Sequence, residues 1–323
     1  MHQIERKREN ISLKISRREL LRKTSAGFPS LALTALLAQE SIATKVNPLA
    51  AKRPHHAPRA KSVIFLFMGG GPSQVDLFDP KPKLAEFEDK KIPITLPRIT
   101  RDATPNCRPS PYTFQKHGES GIVISDLLPH LAKCADDLCV IRSMHCDHIE
   151  HSAAIRQLTT GDGVLPRPSL GSWLLYGLGS EVDNLPGFIS LGAQGDLEGK
   201  TPYGSAFLPT VHEGVAIADP ANPIENLELS IPKGIQSGRL AAIRRLNEVH
   251  RRKRMDDSRL DARIAAYELA FRMQTQAPEA FDLSRESKAT HELYGLDNED
   301  TKEYAQKCLL ARRMVERGVR YVV

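Results

Sequence analysis

From residue 63 onward, unbroken apolar runs alternate with stretches of three- and four-residue apolar spacing, the pattern of buried strands interleaved with helices. Val63-Ile64-Phe65-Leu66-Phe67-Met68 ends in Gly69-Gly70-Gly71 and reads as a buried parallel strand, because a strand covered on both faces shows no polar alternation. Leu127 to Cys134 has helical spacing, and Leu138-Cys139-Val140-Ile141 reads as a second buried strand. A polar stretch, His145 to His151, comes next. It is followed by a short helix to about Thr160, a break at Gly161-Asp162-Gly163, and a helix around Trp173 with Ser169 as its N-cap.

Residues 184–235 are rich in Pro, Gly and Asn, which predicts a loop-rich insertion with minor strands such as Phe188-Ile189-Ser190-Leu191, placed to face a substrate. Leu240, Ile243 and Leu246, then Leu260, Ile264, Tyr267 and Phe271, predict one or two long amphipathic helices with a solvated charged face. Tyr304, Cys308, Ala311 and Val315 mark one face of a last helix that Gly318 closes, and Val319 to Val323 begins another strand. The predicted class is α/β, a mostly parallel sheet flanked by helices. A chain ending in the opening residues of a core strand predicts a sheet incomplete at the C-terminal end, as in a truncated gene product.

Ahead of the first strand the pattern changes. Ser16-Arg17-Arg18-Glu19-Leu20-Leu21-Arg22 fits a twin-arginine export signal, and the moderately apolar stretch Ala26 to Ala38 follows it. That stretch is too short for a spanning helix, which needs roughly twenty residues, so no stable membrane span is expected after cleavage. Small residues offer cleavage sites at Ser41-Ile42-Ala43 and at Leu49-Ala50-Ala51. The organisation predicted is a signal peptide over 1–43, a basic linker over 44–61 and an α/β domain over 62–323. The location predicted is periplasmic or otherwise exported, with the twin-arginine export machinery as a partner.

The net charge of +6 invites a nucleic-acid reading until its position is considered. Residues 1–60 hold 12 Lys or Arg against 4 Glu, which leaves 33 basic and 35 acidic residues for the remainder. The domain is therefore nearly neutral, and no nucleic-acid partner is expected. Five cysteines, an odd number, leave at least one unpaired within the chain; Cys134 and Cys139 are either a bridge or two small apolar residues at a helix-to-strand join.

Two constellations carry candidate chemistry. In His145-Cys146-Asp147-His148-Ile149-Glu150-His151-Ser152, five imidazole or carboxylate ligands fall within seven positions, between an expected strand and an expected helix. Zinc accepts imidazole nitrogen and carboxylate oxygen, and a hydroxyl at a helix start sits among free N–H groups that hold phosphate or sulfate. Ser152 is then a candidate nucleophile with His151 beside it, and His145, Asp147 and His148 are candidate metal ligands. The plainer alternative is a polar loop whose Asp and Ser cap a helix. The second constellation, Gly69 to Pro80, lacks the Lys of a phosphate-binding loop; Asp76 or Asp79 is a candidate cation ligand, or the segment is a tight turn with Asx capping.

Val63 to Pro82, Ser125 to Met144, Arg167-Pro168-Ser169-Leu170-Gly171-Ser172-Trp173, Asn184 to Phe188 and Cys308 to Arg313 together resemble the bacterial family called domain of unknown function 1501. The resemblance implies an alkaline-phosphatase-like fold, shared by sulfatases and phosphatases that use one or two divalent metals. His151-Ser152-Ala153-Ala154 through Thr159-Thr160-Gly161 is similar to the nucleophile helix of alkaline phosphatases, which implies Ser152 as nucleophile and Asp76 as the early carboxylate ligand. The sequence departs from that pattern with glycines after the first strand, and without the later Asp, His and Gly-Glu-Phe-Gly-Arg segments. An incomplete metal site is therefore expected.

The function expected is an exported metal-dependent hydrolase of phosphate or sulfate esters, or a fragment of one, acting on a small-molecule or glycan ester with a divalent metal such as zinc. The alternative is a non-catalytic exported protein that retains the fold to bind glycan or cell-surface material.

Overall fold

The computed structural model describes residues 47–69, 71–91, 106–192, 200–219, 233–252 and 258–323. The twin-arginine signal, Gly70 and much of the expected insertion (193–199 and 220–232) lie outside the described residues. The strands are β1 (Val63–Ile64), β2 (Phe114–His117), β3 (Ile122–Ser125), β4 (Phe188–Leu191), β5 (Val215–Ile217) and β6 (Tyr321–Val322). The helices are α1 (Gln74–Leu77), α2 (Pro129–Ala132), α3 (His151–Thr160), α4 (Leu170–Leu178), α5 (Lys233–Arg252), α6 (Ser258–Phe281), α7 (Lys288–Tyr294) and α8 (Lys302–Glu316). They belong to two compact units, one holding 167–194 and 203–322 with the chain up to Val63, the other mainly Ile64–Pro166.

The first unit is α/β. Its four-stranded sheet has the order β1, β6, β4, β5, and β4 runs parallel to both β5 and β6. Phe188 lies opposite Tyr321 and Ile189 opposite Val322. Successive side chains of a strand point to opposite faces, so β4 builds two cores at once. Ile189 and Val322 pack with Met273 and Phe281 of α6 and with Leu310, Ala311 and Met314 of α8. On the other face Phe188 meets Tyr321 edge to face at 5.1 Å, and Gly171 of α4 lies against the Phe188 ring. Phe188–Leu191, expected as a minor strand of an insertion, thus sits in the interior of the sheet.

Several expected boundaries match. Ser169 caps α4 by accepting the Ser172 N–H, and Gly318, at φ +89°, follows the end of α8 before β6. Two expected strands differ. The apolar run from Val63 is strand only at Val63–Ile64, where the Val63 N–H donates to the Arg320 carbonyl at 2.9 Å, and Leu66 and Met68 are exposed. Leu138–Ile141 is not a strand, and Cys139 and Ile141 are exposed. An apolar run specifies a wish for burial but not a pairing partner, and among the described residues no neighbouring strand pairs with this one. All five cysteines, Cys134 and Cys139 included, are free thiols.

Arg313 ties α8 to the end of α6. Its side chain is buried; it donates to the carbonyls of Glu279 and Ala280 and pairs with Glu286, which Arg312 also contacts. These two guanidinium groups hold the Glu286 carboxyl below the usual range. The second unit is smaller. The antiparallel hairpin β2–β3 places Ile122 and Ile124 against Leu128, Ala132, Ala135 and Leu138, and Asp136 accepts the turn N–H groups of Glu119 and Ser120. Among the described residues no helix is long and apolar enough to cross a membrane.

His212, in the 3₁₀ turn Thr210–His212, is buried edge-on to Tyr176, and its Nδ1 has no hydrogen-bond partner. Burial, with the nearby Lys52 charge, pushes its imidazole down to about 4. The folded form therefore holds His212 neutral while the unfolded chain takes up a proton near pH 6.5. Stability should be undiminished above about pH 6.5 and fall progressively towards pH 4, by at most about 3 kcal/mol, in urea denaturation, and His212→Phe should flatten that dependence. Arg313→Ala leaves the Glu286 carboxylate with Arg312 alone and two carbonyls without their donor, and the same measurement at pH 7 should show a loss of about 3 kcal/mol.

Candidate functional site

All seven residues singled out from the sequence, Asp76, its alternative Asp79, His145, Asp147, His148, His151 and Ser152, belong to the second unit, and Asp79 is paired with Lys81 at 2.7 Å. Helix α3 begins at His151, the last residue of the expected polar stretch, and ends as expected at Gly161 with φ +83°, whose N–H returns to the Gln157 carbonyl. Its cap is Glu150, which the sequence placed among five candidate ligands and not as a cap. Glu150 has an extended backbone, and its carboxylate accepts the N–H of Ser152 at 3.0 Å and of Ala153 at 2.9 Å. Those two bonds, with the Ser152 hydroxyl, hold its carboxyl below the usual range, so it is ionised at neutral pH. Glutamate is not among the preferred capping residues, so propensity gave little signal for it.

Ser152 is half-buried at the second position of α3, and its Oγ donates to Glu150 Oε1 at 3.1 Å. A hydroxyl hydrogen-bonded to an ionised carboxylate has a proton acceptor at hand. The same carboxylate occupies the first free N–H groups of the helix, the groups that a phosphate or sulfate would otherwise use. His151 is the first helical residue and is exposed.

The residues before Glu150 fold back along α3 instead of gathering ahead of it. Asp147 and Gln157 exchange two hydrogen bonds, Asp147 N–H to Gln157 Oε1 at 2.9 Å and Gln157 Nε2 to Asp147 Oδ2 at 2.6 Å. Cys146 Sγ donates to the Ala154 carbonyl, and the His148 ring lies against Gly163, where a Cβ would fall 2.2 Å from the ring. His145 Nδ1 lies 3.5 Å from the carbonyl of Ser143. Asp76 sits on α1, where hydrogen bonds from Ser110 and then Ser73 lower its carboxyl. Among the described residues no three His, Cys, Asp or Glu side chains come together to hold a metal ion. The structure thus joins Ser152 to Glu150, with His151 alongside, and does not join Asp76, His145, Asp147 and His148 into one ligand set. As arranged, these four do not form a zinc site.

No curated protein and no solved structure matches the chain. A family model described as protein of unknown function (DUF1501) matches residues 60–323, and the chain belongs to that family.

Proposed function

We propose that this protein is an exported hydrolase of phosphate or sulfate esters, or part of one, in which Ser152 is the nucleophile. The observation that carries the reading is the bond from the Ser152 hydroxyl to the ionised Glu150 carboxylate at the start of a 10-residue helix. Ser152 Oγ attacks the phosphorus or sulfur, its proton passes to Glu150, and the bond to the ester alcohol breaks. His151 protonates the departing alkoxide, and water then releases phosphate or sulfate from Ser152. For an anionic ester to reach the Ser152 and Ala153 N–H groups, Glu150 must swing aside or take up that proton.

A divalent metal, zinc foremost, is the cofactor that the reading adds, with Asp76, His145, Asp147 and His148 as its ligands. Their present arrangement does not gather them, so no step above passes through the ion. The leader of residues 1–43 supports export to the periplasm or beyond by the twin-arginine route.

A second reading, an exported protein that binds glycan or cell-surface material without turnover, draws on a different observation. Trp173, Tyr176 and Phe207 expose their rings, with Trp173 6.0 Å from Tyr176 and 5.8 Å from Phe207. Aromatic rings half open to water offer apolar faces to a sugar.

Turnover of p-nitrophenyl phosphate and p-nitrophenyl sulfate by the full chain tests the first reading. Ser152→Ala should lower kcat about a thousandfold or more. Turnover indifferent to Ser152→Ala rejects the nucleophile, and no turnover together with binding of soluble glycan favours the second reading.

A further inference from the structure

The inner face of the hairpin β2–β3 carries two polar residues that its small core does not use. Gln115 lies directly opposite Ile124 and His117 opposite Ile122, so both amide and imidazole share the face that buries those isoleucines. Beyond the isoleucines this face opens into a groove of about 350 Å³ whose walls are Gln115 and His117 on one strand, Asp126 at the end of the other, and Ala132 and Lys133 of the α2 segment. That volume lies at the small end of the range for ligand pockets, roughly 300–1,000 Å³, and is sized for a metabolite rather than a chain.

The partners of these groups decide what the groove can take. Asp126 is already engaged, accepting the Thr113 hydroxyl at 2.7 Å. The side chains of Gln115, His117 and Lys133 make no hydrogen bond or ion pair among the described residues, although all three border the same space. An ammonium, an imidazole and an amide are donors, and three donors bordering one concavity complement an anionic headgroup. Asp126, across the groove, complements a hydroxyl or amino donor on the same molecule. None of the lining residues is among Asp76, His145, Asp147, His148, Glu150, His151 and Ser152, so the site is separate from the proposed hydrolytic one.

We propose that the groove between β2–β3 and α2 binds a small organic anion through Lys133, His117 and Gln115. The anionic group is a carboxylate or a phosphate, and the ligand carries a hydroxyl or amino group for Asp126.

Isothermal titration of the full chain with inorganic phosphate and with L-malate tests this, the two probes distinguishing the headgroups. At least one probe should bind, and Lys133→Gln should weaken it about tenfold. Lys116→Gln, an equal change of charge on a strand residue outside the groove lining, should leave the affinity unchanged. Asp126→Asn keeps an acceptor for Thr113 and removes a negative charge from the groove, so it should tighten inorganic phosphate if that is the probe that binds, a gain that misfolding cannot imitate. Failure of both probes to bind at millimolar concentration overturns the proposal, as does a loss with Lys116→Gln equal to that with Lys133→Gln.

Discussion

The larger unit rests on the pairing of β4 with β6, two short strands separated by some 130 residues of chain. Their two registered pairs, Phe188 with Tyr321 and Ile189 with Val322, look in opposite directions and so seed the packing on both faces of the sheet. Close approach on the Phe188 face requires backbone without side chains: a Cβ at Gly171 or at Gly214 would fall within 2.8 Å of the ring. On the other face, α6 and α8 can lie together because Arg313 satisfies carbonyls at the end of α6 while Glu286 neutralises it. A buried charge without such partners would cost several kcal/mol, so this network is a condition of the packing rather than an ornament to it.

In the smaller unit a carboxylate plays the corresponding part. Glu150 satisfies two of the N–H groups that every helix start leaves open, and the helix it anchors supplies the Gln157 and Ala154 groups along which Asp147 and Cys146 lie. The same negative charge faces any anion that approaches the helix. On the proposed reading, local stability and reactivity compete for one group: the carboxylate that would ready the Ser152 hydroxyl would also screen it from an anionic ester.

Local chemistry was legible in the sequence where it was local in fact. The stop of α3 at Gly161, the Ser169 cap and the turn at Gly318 all follow from residues within a few positions of the feature. Pairing between distant segments was not. Phe188–Leu191 stands among Pro and Gly residues that speak for loops, and nothing within it announces a partner at residue 321. Leu138–Ile141 and the run after Ile64 have the apolar content of core strands without a strand to pair with among the described residues. At the candidate site, residue type foretold a polar cluster, but the side-chain directions were set by Gln157 and Gly163, ten and fifteen residues beyond Asp147 and His148.

One strip of chain ahead of the first strand is tied to the larger unit. The Leu49 carbonyl accepts the Ser180 N–H at 2.8 Å, the Lys52 N–H donates to the Leu178 carbonyl, and Lys52 Nζ reaches the Tyr176 carbonyl at 2.6 Å. Gly179 leaves just enough space for Ala50 to pass. These residues are stitched onto the end of α4, so shortening the chain to begin at Lys52 would take away the acceptor of the Ser180 N–H and leave only the Lys52 half of the seam.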